Sequence, residues 1–113
     1  RGSTPIDVPE YTAQQLHQAL TSDRDQLQLI DVREQYEYDI AHLDARLIPL
    51  RELEARMDEI DQSKRTIVYC RSGMRSATAV RTLREKHGFD HVYNLKGGLL
   101  AWAGSVDGNM PVY

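Results

Sequence analysis

The sequence predicts an α/β fold, with a mainly parallel sheet of about five strands and helices on both faces. Strand-like and helix-like segments alternate at intervals of about a dozen residues, as in parallel strands joined by crossover helices. The chain has 113 residues, of which 41% are apolar, enough to build one modest core. We therefore expect a single domain over residues 4–113. Residues 1–3, which lack an initiating Met, resemble a remnant of an expression vector.

The first elements follow from capping and periodicity. Residues 6–8 predict a short edge strand. Thr12 followed by Gln15 is typical of a capping box, which indicates a helix from there through Leu20. Residues 27–32 predict a buried strand, because Leu and Ile dominate a short run bounded by polar residues.

The middle of the chain predicts shorter elements. Residues 34–39 suggest one helical turn and residues 47–48 a brief strand, which Pro49 prevents from continuing. A further helix is expected from apolar residues at helical spacing, namely Leu50, Leu53, Met57 and Ile60.

The second half carries the clearest pattern. Residues 66–69 are β-branched and aromatic, which strongly predicts a strand ending at Cys70. The next helix buries one side, including Ala77, Val80 and Leu83, and ends at Gly88, which suits a left-handed terminal residue. We expect a strand at residues 91–95, a glycine turn, and a last helix over 99–106 with Trp102 in the core.

Composition excludes several kinds of protein. The longest apolar runs, 67–70 and 99–103, are far shorter than the roughly 20 residues that a membrane helix needs. One Cys and four scattered His offer neither a disulfide nor metal-ligand spacing. We therefore expect no metal, no membrane partner and a cytoplasmic location, and we also expect no organic cofactor and no nucleic-acid partner.

Charge is distributed unevenly along the chain. Residues 64–86 carry seven basic side chains and one acidic side chain, a net charge of +6, while the remainder sums to −9. Such an excess of basic residues indicates either an anion site or a solvated helix face.

The segment 70–76 lies between the best strand and a good helix, at the kind of strand end where sites of parallel sheets collect. Loop amides and the helix N-terminus there favour a thiolate on Cys70, which is the reactive form of cysteine. Gly73 allows the backbone to approach an anion closely. The alternative interpretation is that Cys70 is a small buried apolar residue.

Together these residues resemble the rhodanese-like sulfurtransferases. The matching segments, in the family's order, are Ile30-Asp31-Val32-Arg33-Glu34, Tyr36-Glu37-Tyr38, Ile40-Ala41-His42-Leu43, Leu47-Ile48-Pro49-Leu50, Val68-Tyr69-Cys70-Arg71-Ser72-Gly73-Met74-Arg75-Ser76 and residues 92–102, which include Leu95-Lys96-Gly97-Gly98. The tail, residues 102–113, is similar to that of rhodanese domains fused to adenylyltransferases that activate ubiquitin-like sulfur carriers.

The resemblance implies a rhodanese fold and transfer of a sulfane sulfur through a persulfide on Cys70. It also implies a small anionic donor such as thiosulfate, or a protein persulfide donor or sulfur-carrier protein as partner. The rest of the loop is expected to bind the substrate: Arg71, Ser72, Gly73, Met74, Arg75 and Ser76. In that interpretation the two arginines attract the donor and stabilise departing sulfite, and the two serines add hydroxyl donors.

Two other functions stay open. The chain is alternatively a carrier module that delivers sulfur to a partner with little turnover on thiosulfate. A more remote alternative is a phosphatase or arsenate reductase. Phosphatase relatives of this fold place Arg six positions after Cys, whereas position 76 here is Ser and the arginine is Arg75.

The resemblance has one departure. The family usually has Gly-His-Ile-x-Gly-Ala where this chain has Ala41-His42-Leu43-Asp44-Ala45, without either glycine and one residue shorter. We expect His42 to make an ordinary hydrogen bond, and Asp31 and Arg33 to brace each other or the floor of the loop. Tyr36 and Tyr38 are candidates for a rim that faces a partner or for plain surface residues.

Overall fold

The computed structural model describes residues 8–111 and contains a five-stranded parallel sheet. Its strands, in chain order, are β1 (Glu10–Tyr11), β2 (Leu27–Asp31), β3 (Arg46–Leu47), β4 (Arg65–Tyr69) and β5 (Val92–Leu95). Their order across the sheet is β1-β5-β4-β2-β3, and each neighbouring pair is parallel. The predicted α/β class and strand number are confirmed.

Within residues 8–111, three α-helices and three short 3₁₀ segments lie between the strands, and a fourth α-helix follows β5. The α-helices are α1 (Ala13–Ser22), α2 (Gln35–Ile40), α3 (Met74–His87) and α4 (Gly98–Ser105). The 3₁₀ segments are Arg24–Gln26, Leu50–Glu52 and Glu54–Glu59. Within residues 8–111, none of the helices has the length and apolar character that crossing a lipid bilayer requires.

The sheet separates two apolar cores. Alternate side chains of β4 point to opposite faces, so Val68 joins one core while Ile67 joins the other. Val80 of α3 packs in the first core, and Leu16 of α1 and Trp102 of α4 pack in the second. Helices therefore cover both faces, as the sequence predicted.

The predicted helix ends are confirmed where capping residues define them. The Thr12 hydroxyl accepts a hydrogen bond from the Gln15 amide at 3.1 Å, and the Gln15 side chain accepts one from the Thr12 amide at 2.9 Å. Helix α1 continues two residues beyond Leu20, to Ser22. Gly88 ends α3 with a φ of 72°, the left-handed conformation that glycine adopts without strain.

Two local predictions are wrong. The segment from Leu50 to Ile60 forms 3₁₀ turns instead of one α-helix, with a break at Arg56. Its apolar side chains still reach the first core, because steps of three residues also fit 3₁₀ geometry. Strand β3 is Arg46–Leu47, one residue earlier than expected.

The predicted first strand, residues 6–8, lies largely outside the described residues. The edge strand β1 is Glu10–Tyr11, which pairs with Asn94 and Leu95 of β5. This pairing brings Glu10 close to the end of the sheet where Cys70 lies, a placement used below.

Candidate active site

The loop that begins with Cys70 leaves β4 at the carboxyl edge of the sheet and enters α3 at Met74. The first turn of α4 anchors the start of this loop. The Leu99 amide donates to the Cys70 carbonyl oxygen at 2.9 Å, and the Leu100 amide donates to the Arg71 carbonyl oxygen at 3.1 Å. The N-terminal amides of one helix thus fix the beginning of the loop that leads into another.

Two glycines allow this close approach. A Cβ on Gly98 would lie 2.5 Å from the Arg71 carbonyl oxygen and 2.6 Å from that of Cys70, closer than such atoms can pack. Gly73 has a φ of 100°, and a Cβ there would lie 3.2 Å from the Gly97 nitrogen. The sequence marked Gly73 as part of the site but indicated only a turn at Gly98.

Hydrogen-bond donors converge on the Cys70 sulfur. The Gly73 amide lies 3.1 Å and the Ser76 amide 3.4 Å from Sγ, and the Ser76 hydroxyl oxygen also lies 3.4 Å away. The predicted convergence of loop amides is therefore observed. The two amides stabilise negative charge on the sulfur. Cys70 is only 1% exposed and is one of the residues of the first core.

A buried polar contact that the sequence analysis missed lies behind the sulfur. The Ser76 hydroxyl donates to the Asn94 side-chain oxygen at 2.5 Å. The Asn94 side-chain nitrogen donates to the Glu10 carboxylate at 2.9 Å and to the Gly73 carbonyl at 3.3 Å. An asparagine in an otherwise apolar strand was the available signal, because buried polar side chains need hydrogen-bond partners.

Arg75 is held by α2. Its two terminal nitrogens donate to the two carboxylate oxygens of Glu37 at 2.8 and 2.9 Å. The Glu37 side chain is 4% exposed and that of Arg75 is 38% exposed. The Glu34 amide also donates to Glu37 at 3.0 Å. The arginine charge is therefore shared with a buried carboxylate, a pairing the sequence analysis did not identify.

The remaining predicted residues differ in how far they are exposed. Arg71 is half-buried, while Ser72 and Met74 are exposed, Met74 to 60%. The structure thus brings Gly73 and Ser76 to the sulfur and places Ser72 and Met74 at the outer surface of the loop.

A second buried network follows β2, the strand beside β4. Arg33 donates to the Asp31 carboxylate from Nε at 2.9 Å and from Nη2 at 2.7 Å, and both side chains are fully buried. Arg33 Nη2 also donates to the Ala41 carbonyl oxygen at 2.7 Å. The expected bracing of Asp31 by Arg33 is confirmed.

The shortened turn is tied to this network. The Leu43 amide donates to the Tyr69 hydroxyl oxygen at 3.0 Å, and the Tyr38 hydroxyl donates to the Ala45 carbonyl at 3.0 Å. Burial raises the pKa of Tyr69 well above its usual value, and the nearby Asp31 carboxylate raises it further, so its hydroxyl stays protonated. The His42 ring stacks on Tyr38 at 3.8 Å and makes the expected ordinary hydrogen bond, to the Leu43 carbonyl.

The loop geometry agrees with a match to known proteins. The family model described as the rhodanese-like domain matches residues 12–105. The chain belongs to the rhodanese-like family. This is a family of sulfurtransferases and sulfur carriers, and the resemblance drawn from the motifs is confirmed.

Several curated proteins are similar to this rhodanese-like chain. It is 48% identical over 80 residues to the uncharacterised protein YqhL of Bacillus subtilis, covering 70% of this chain and 63% of YqhL. It is 37% identical to the putative sulfur carrier protein YrkF of the same organism, covering 88% of this chain and 54% of YrkF. A protein named sulfurtransferase from Allochromatium vinosum is also 37% identical, with coverage of 85% and 89%.

Longer relatives contain the same domain. The chain is 37% identical to the probable adenylyltransferase/sulfurtransferase MoeZ of Mycobacterium tuberculosis, covering 90% of this chain but 26% of MoeZ. The chain therefore spans only part of the length of several relatives that it matches.

A solved structure supports the fold. The rhodanese-like domain protein of Staphylococcus aureus superposes with a TM-score of 0.77 at 26% identity, covering 93% of this chain and 98% of that one.

In the part of the chain that the structure describes, no three His, Cys, Asp or Glu side chains are grouped so that they could bind a metal ion.

Proposed function

We propose that this rhodanese-like chain is a sulfurtransferase that moves a sulfane sulfur through a persulfide on Cys70. The observation that carries the proposal is the pair of amides, from Gly73 and Ser76, that point at the sulfur from 3.1 and 3.4 Å. Backbone donors held in place before the reaction stabilise charge as it develops. Family membership supports the same chemistry.

The reaction divides into two displacements. The Cys70 thiolate attacks the outer sulfur of thiosulfate, an S–S bond forms, and the bond within thiosulfate breaks so that sulfite leaves with the electron pair. A nucleophilic acceptor then attacks the outer sulfur of the persulfide, and Cys70 leaves as a thiolate. This is a ping-pong scheme with a covalent intermediate.

The rest of the loop supplies binding and charge. We assign Arg71 and Arg75 to attraction of the anionic donor and to stabilisation of the departing sulfite. Because Glu37 shares the charge of Arg75, we expect the contribution of Arg75 to be smaller than that of an unneutralised arginine. We also assign Ser72 and Met74, which are exposed at the outer surface, to contact with the donor or a partner.

A second candidate function is a sulfur carrier. The similarity to YrkF, a putative sulfur carrier protein, favours it. In this alternative, Cys70 receives sulfur from an upstream protein and delivers it to a partner, with little turnover on thiosulfate. The burial of Cys70 is compatible with both functions, since a persulfide extends one atom beyond Sγ.

The test is intact mass spectrometry after exposure to thiosulfate, followed by a thiosulfate-dependent cyanide assay. We expect a gain of one sulfur atom on the wild type and none on Cys70→Ser, whose folding is checked by circular dichroism. Thiosulfate loading with cyanide turnover supports the enzyme. Loading only from a second protein that carries a persulfide supports the carrier. No sulfur from either donor, or loading of Cys70→Ser, contradicts the proposal.

The phosphatase alternative is tested in the same preparation. Ser at position 76 replaces the arginine that phosphatase relatives carry there, so we expect no hydrolysis of an aryl phosphate. Hydrolysis that Cys70→Ser abolishes would overturn the assignment to sulfur chemistry.

A further inference from the structure

The buried residue Asn94 of β5 lies two hydrogen bonds away from the reactive sulfur. Its amide contacts Ser76, and the Ser76 hydroxyl contacts Cys70. All three residues are at most 1% exposed, so bulk water does not compete for these groups. The proton positions in this series of hydrogen bonds therefore follow from which atoms can donate and which can only accept.

The neighbours of Asn94 fix the orientation of its amide. One end lies 2.9 Å from the Glu10 carboxylate and 3.3 Å from the Gly73 carbonyl oxygen, and both of these groups only accept hydrogen bonds. That end must therefore be the NH₂ group, and the oxygen must face Ser76. An amide oxygen has no proton to give.

The orientation of Asn94 in turn fixes the Ser76 hydroxyl. A hydroxyl has one proton, and the 2.5 Å separation from the Asn94 oxygen commits that proton to Asn94. The hydroxyl oxygen then turns its lone pairs toward Sγ, 3.4 Å away. It can accept the proton of a thiol there, but it has no proton left for a thiolate.

We propose that Asn94 is a positioning residue that holds the Ser76 hydroxyl as a proton acceptor toward Cys70, and thereby opposes ionisation of the resting thiol. This reverses the donor role that the motif implied for Ser76. As long as the hydroxyl donates to Asn94, the Gly73 and Ser76 amides stabilise charge on the sulfur and the hydroxyl does not. The inference deepens the proposed function and rests on it for its role in sulfur transfer.

The other hydrogen-bond partners of Asn94 do not depend on it. The Gly73 carbonyl keeps a hydrogen bond from the Ala77 amide at 3.1 Å, and Glu10 is exposed and can be hydrated. The charged groups on the elements around the loop stay in place in the variants used below: Arg71, Arg75 with its partner Glu37, Asp31 with Arg33, and Glu10.

The test is a pH titration of the thiolate by its ultraviolet absorbance. Cys70 is the only cysteine, so the signal belongs to it, and Cys70→Ser provides the blank. We expect Asn94→Ala to move the midpoint to lower pH by about one unit, since the freed hydroxyl gains a charge-assisted hydrogen bond. Asn94→Leu, which fills more of the volume, is expected to move it the same way.

The direction in which the titration midpoint moves in Ser76→Ala decides between the two roles of the hydroxyl. The proposal expects its midpoint to stay in place or to fall, because the hydroxyl donates nothing to the wild-type thiolate. The double variant is expected to match Ser76→Ala, since Asn94 acts through the hydroxyl. A midpoint that rises in Ser76→Ala overturns the proposal, as does an Asn94 effect that persists without Ser76.

The Ser76→Ala result decides even if the Asn94 variants fail to fold. The titration requires no sulfur transfer, whereas the loading experiment above requires it. Failure of one therefore does not imply failure of the other: a titration as expected without persulfide formation contradicts only the proposed function.

Discussion

Two buried polar sites lie side by side at the carboxyl edge of the sheet, one after β2 and one after β4. The strands pair directly, and the Val32 amide donates to the Tyr69 carbonyl oxygen at 3.0 Å. After β2, Asp31 and Arg33 hold opposite charges against each other with no exposed surface. After β4, backbone amides point at the Cys70 sulfur. In the first site, the Asp31 carboxylate is already paired with the Arg33 guanidinium. In the second site, amide dipoles point at a sulfur that becomes an anion in the reaction.

This difference separates a brace from a reactive site. A buried carboxylate that is fully paired has little capacity to take part in chemistry, but it fixes the chain that carries its partner. Here Arg33 reaches the Ala41 carbonyl and holds the turn of residues 41–45. Neutral hydrogen-bond donors around the sulfur stabilise an uncharged thiol only weakly, and they stabilise the sulfur more strongly when negative charge develops on it. Burial alone therefore does not distinguish the two roles.

The largest effect expected on stability comes from breaking the brace. Arg33→Met leaves the Asp31 carboxylate buried without its partner, and we expect the free energy of unfolding to fall by about 3–5 kcal/mol. Urea denaturation measures this change. Asp31→Asn combined with Arg33→Met is expected to recover part of the loss, because no charge then remains buried. A loss below about 1 kcal/mol in Arg33→Met contradicts the view of this pair as a brace.

An intermediate effect is expected where α4 meets the reactive loop. Gly98→Ala places a Cβ against the Cys70 and Arg71 carbonyls at a φ of 63°, and we expect a loss of about 1–3 kcal/mol. We also expect slower persulfide loading, because the loop must move. Thermal denaturation and the rate of mass gain with thiosulfate measure the two effects.

Gly104→Ala is the matched control for that variant. It lies in the same helix, and a Cβ there meets nothing within 4 Å. We expect it to stabilise the helix by about 0.5–1 kcal/mol and to leave loading unchanged. Equal behaviour of the two alanine variants would show that the close contact between α4 and the loop is unimportant.

The comparison also shows what the sequence could predict. The sheet, the helices on both faces and the position of Cys70 at a strand end all follow from periodicity and from breaks in it. The partners of Glu37 and Asn94 do not, because they join residues 38 and 18 positions apart and depend on how α2 and β5 pack around the loop. Gly98 was read only as a turn, since the approach of the Cys70 carbonyl is a tertiary contact.

The 3₁₀ turns show the same limit from another side. Apolar spacing correctly predicted which side chains of residues 50–60 face the core. It did not determine whether the backbone is α-helical or 3₁₀. Arg56, whose φ and ψ break the helix, donates to the Leu47 carbonyl and to Glu52 and Glu59. These tertiary and local contacts override the helical preference.

The variant that sharpens the comparison most concerns Arg75, where the expected effect is again smaller than that of breaking the brace. Its pairing with Glu37 makes it intermediate between the two sites: one partner is buried, as in the brace, and the other is partly exposed beside the reactive loop. Arg75→Ala leaves the Glu37 carboxylate without this partner, and we expect a stability loss of about 1–3 kcal/mol, below that of Arg33→Met because water can reach the site.

The same variant separates a structural from an electrostatic role. If Arg75 also attracts the donor, Arg75→Ala should lower loading by anionic thiosulfate more than loading by a neutral sulfur donor, both measured by mass gain at matched fractions of folded protein. Arg75→Lys keeps the charge but loses the two-point contact, so it should retain the preference for thiosulfate while losing part of the stability. If Arg75→Ala reduces loading by both donors equally, Arg75 has only a structural role, through its pair with Glu37. Recognition of the donor charge would then belong to Arg71 and the loop amides.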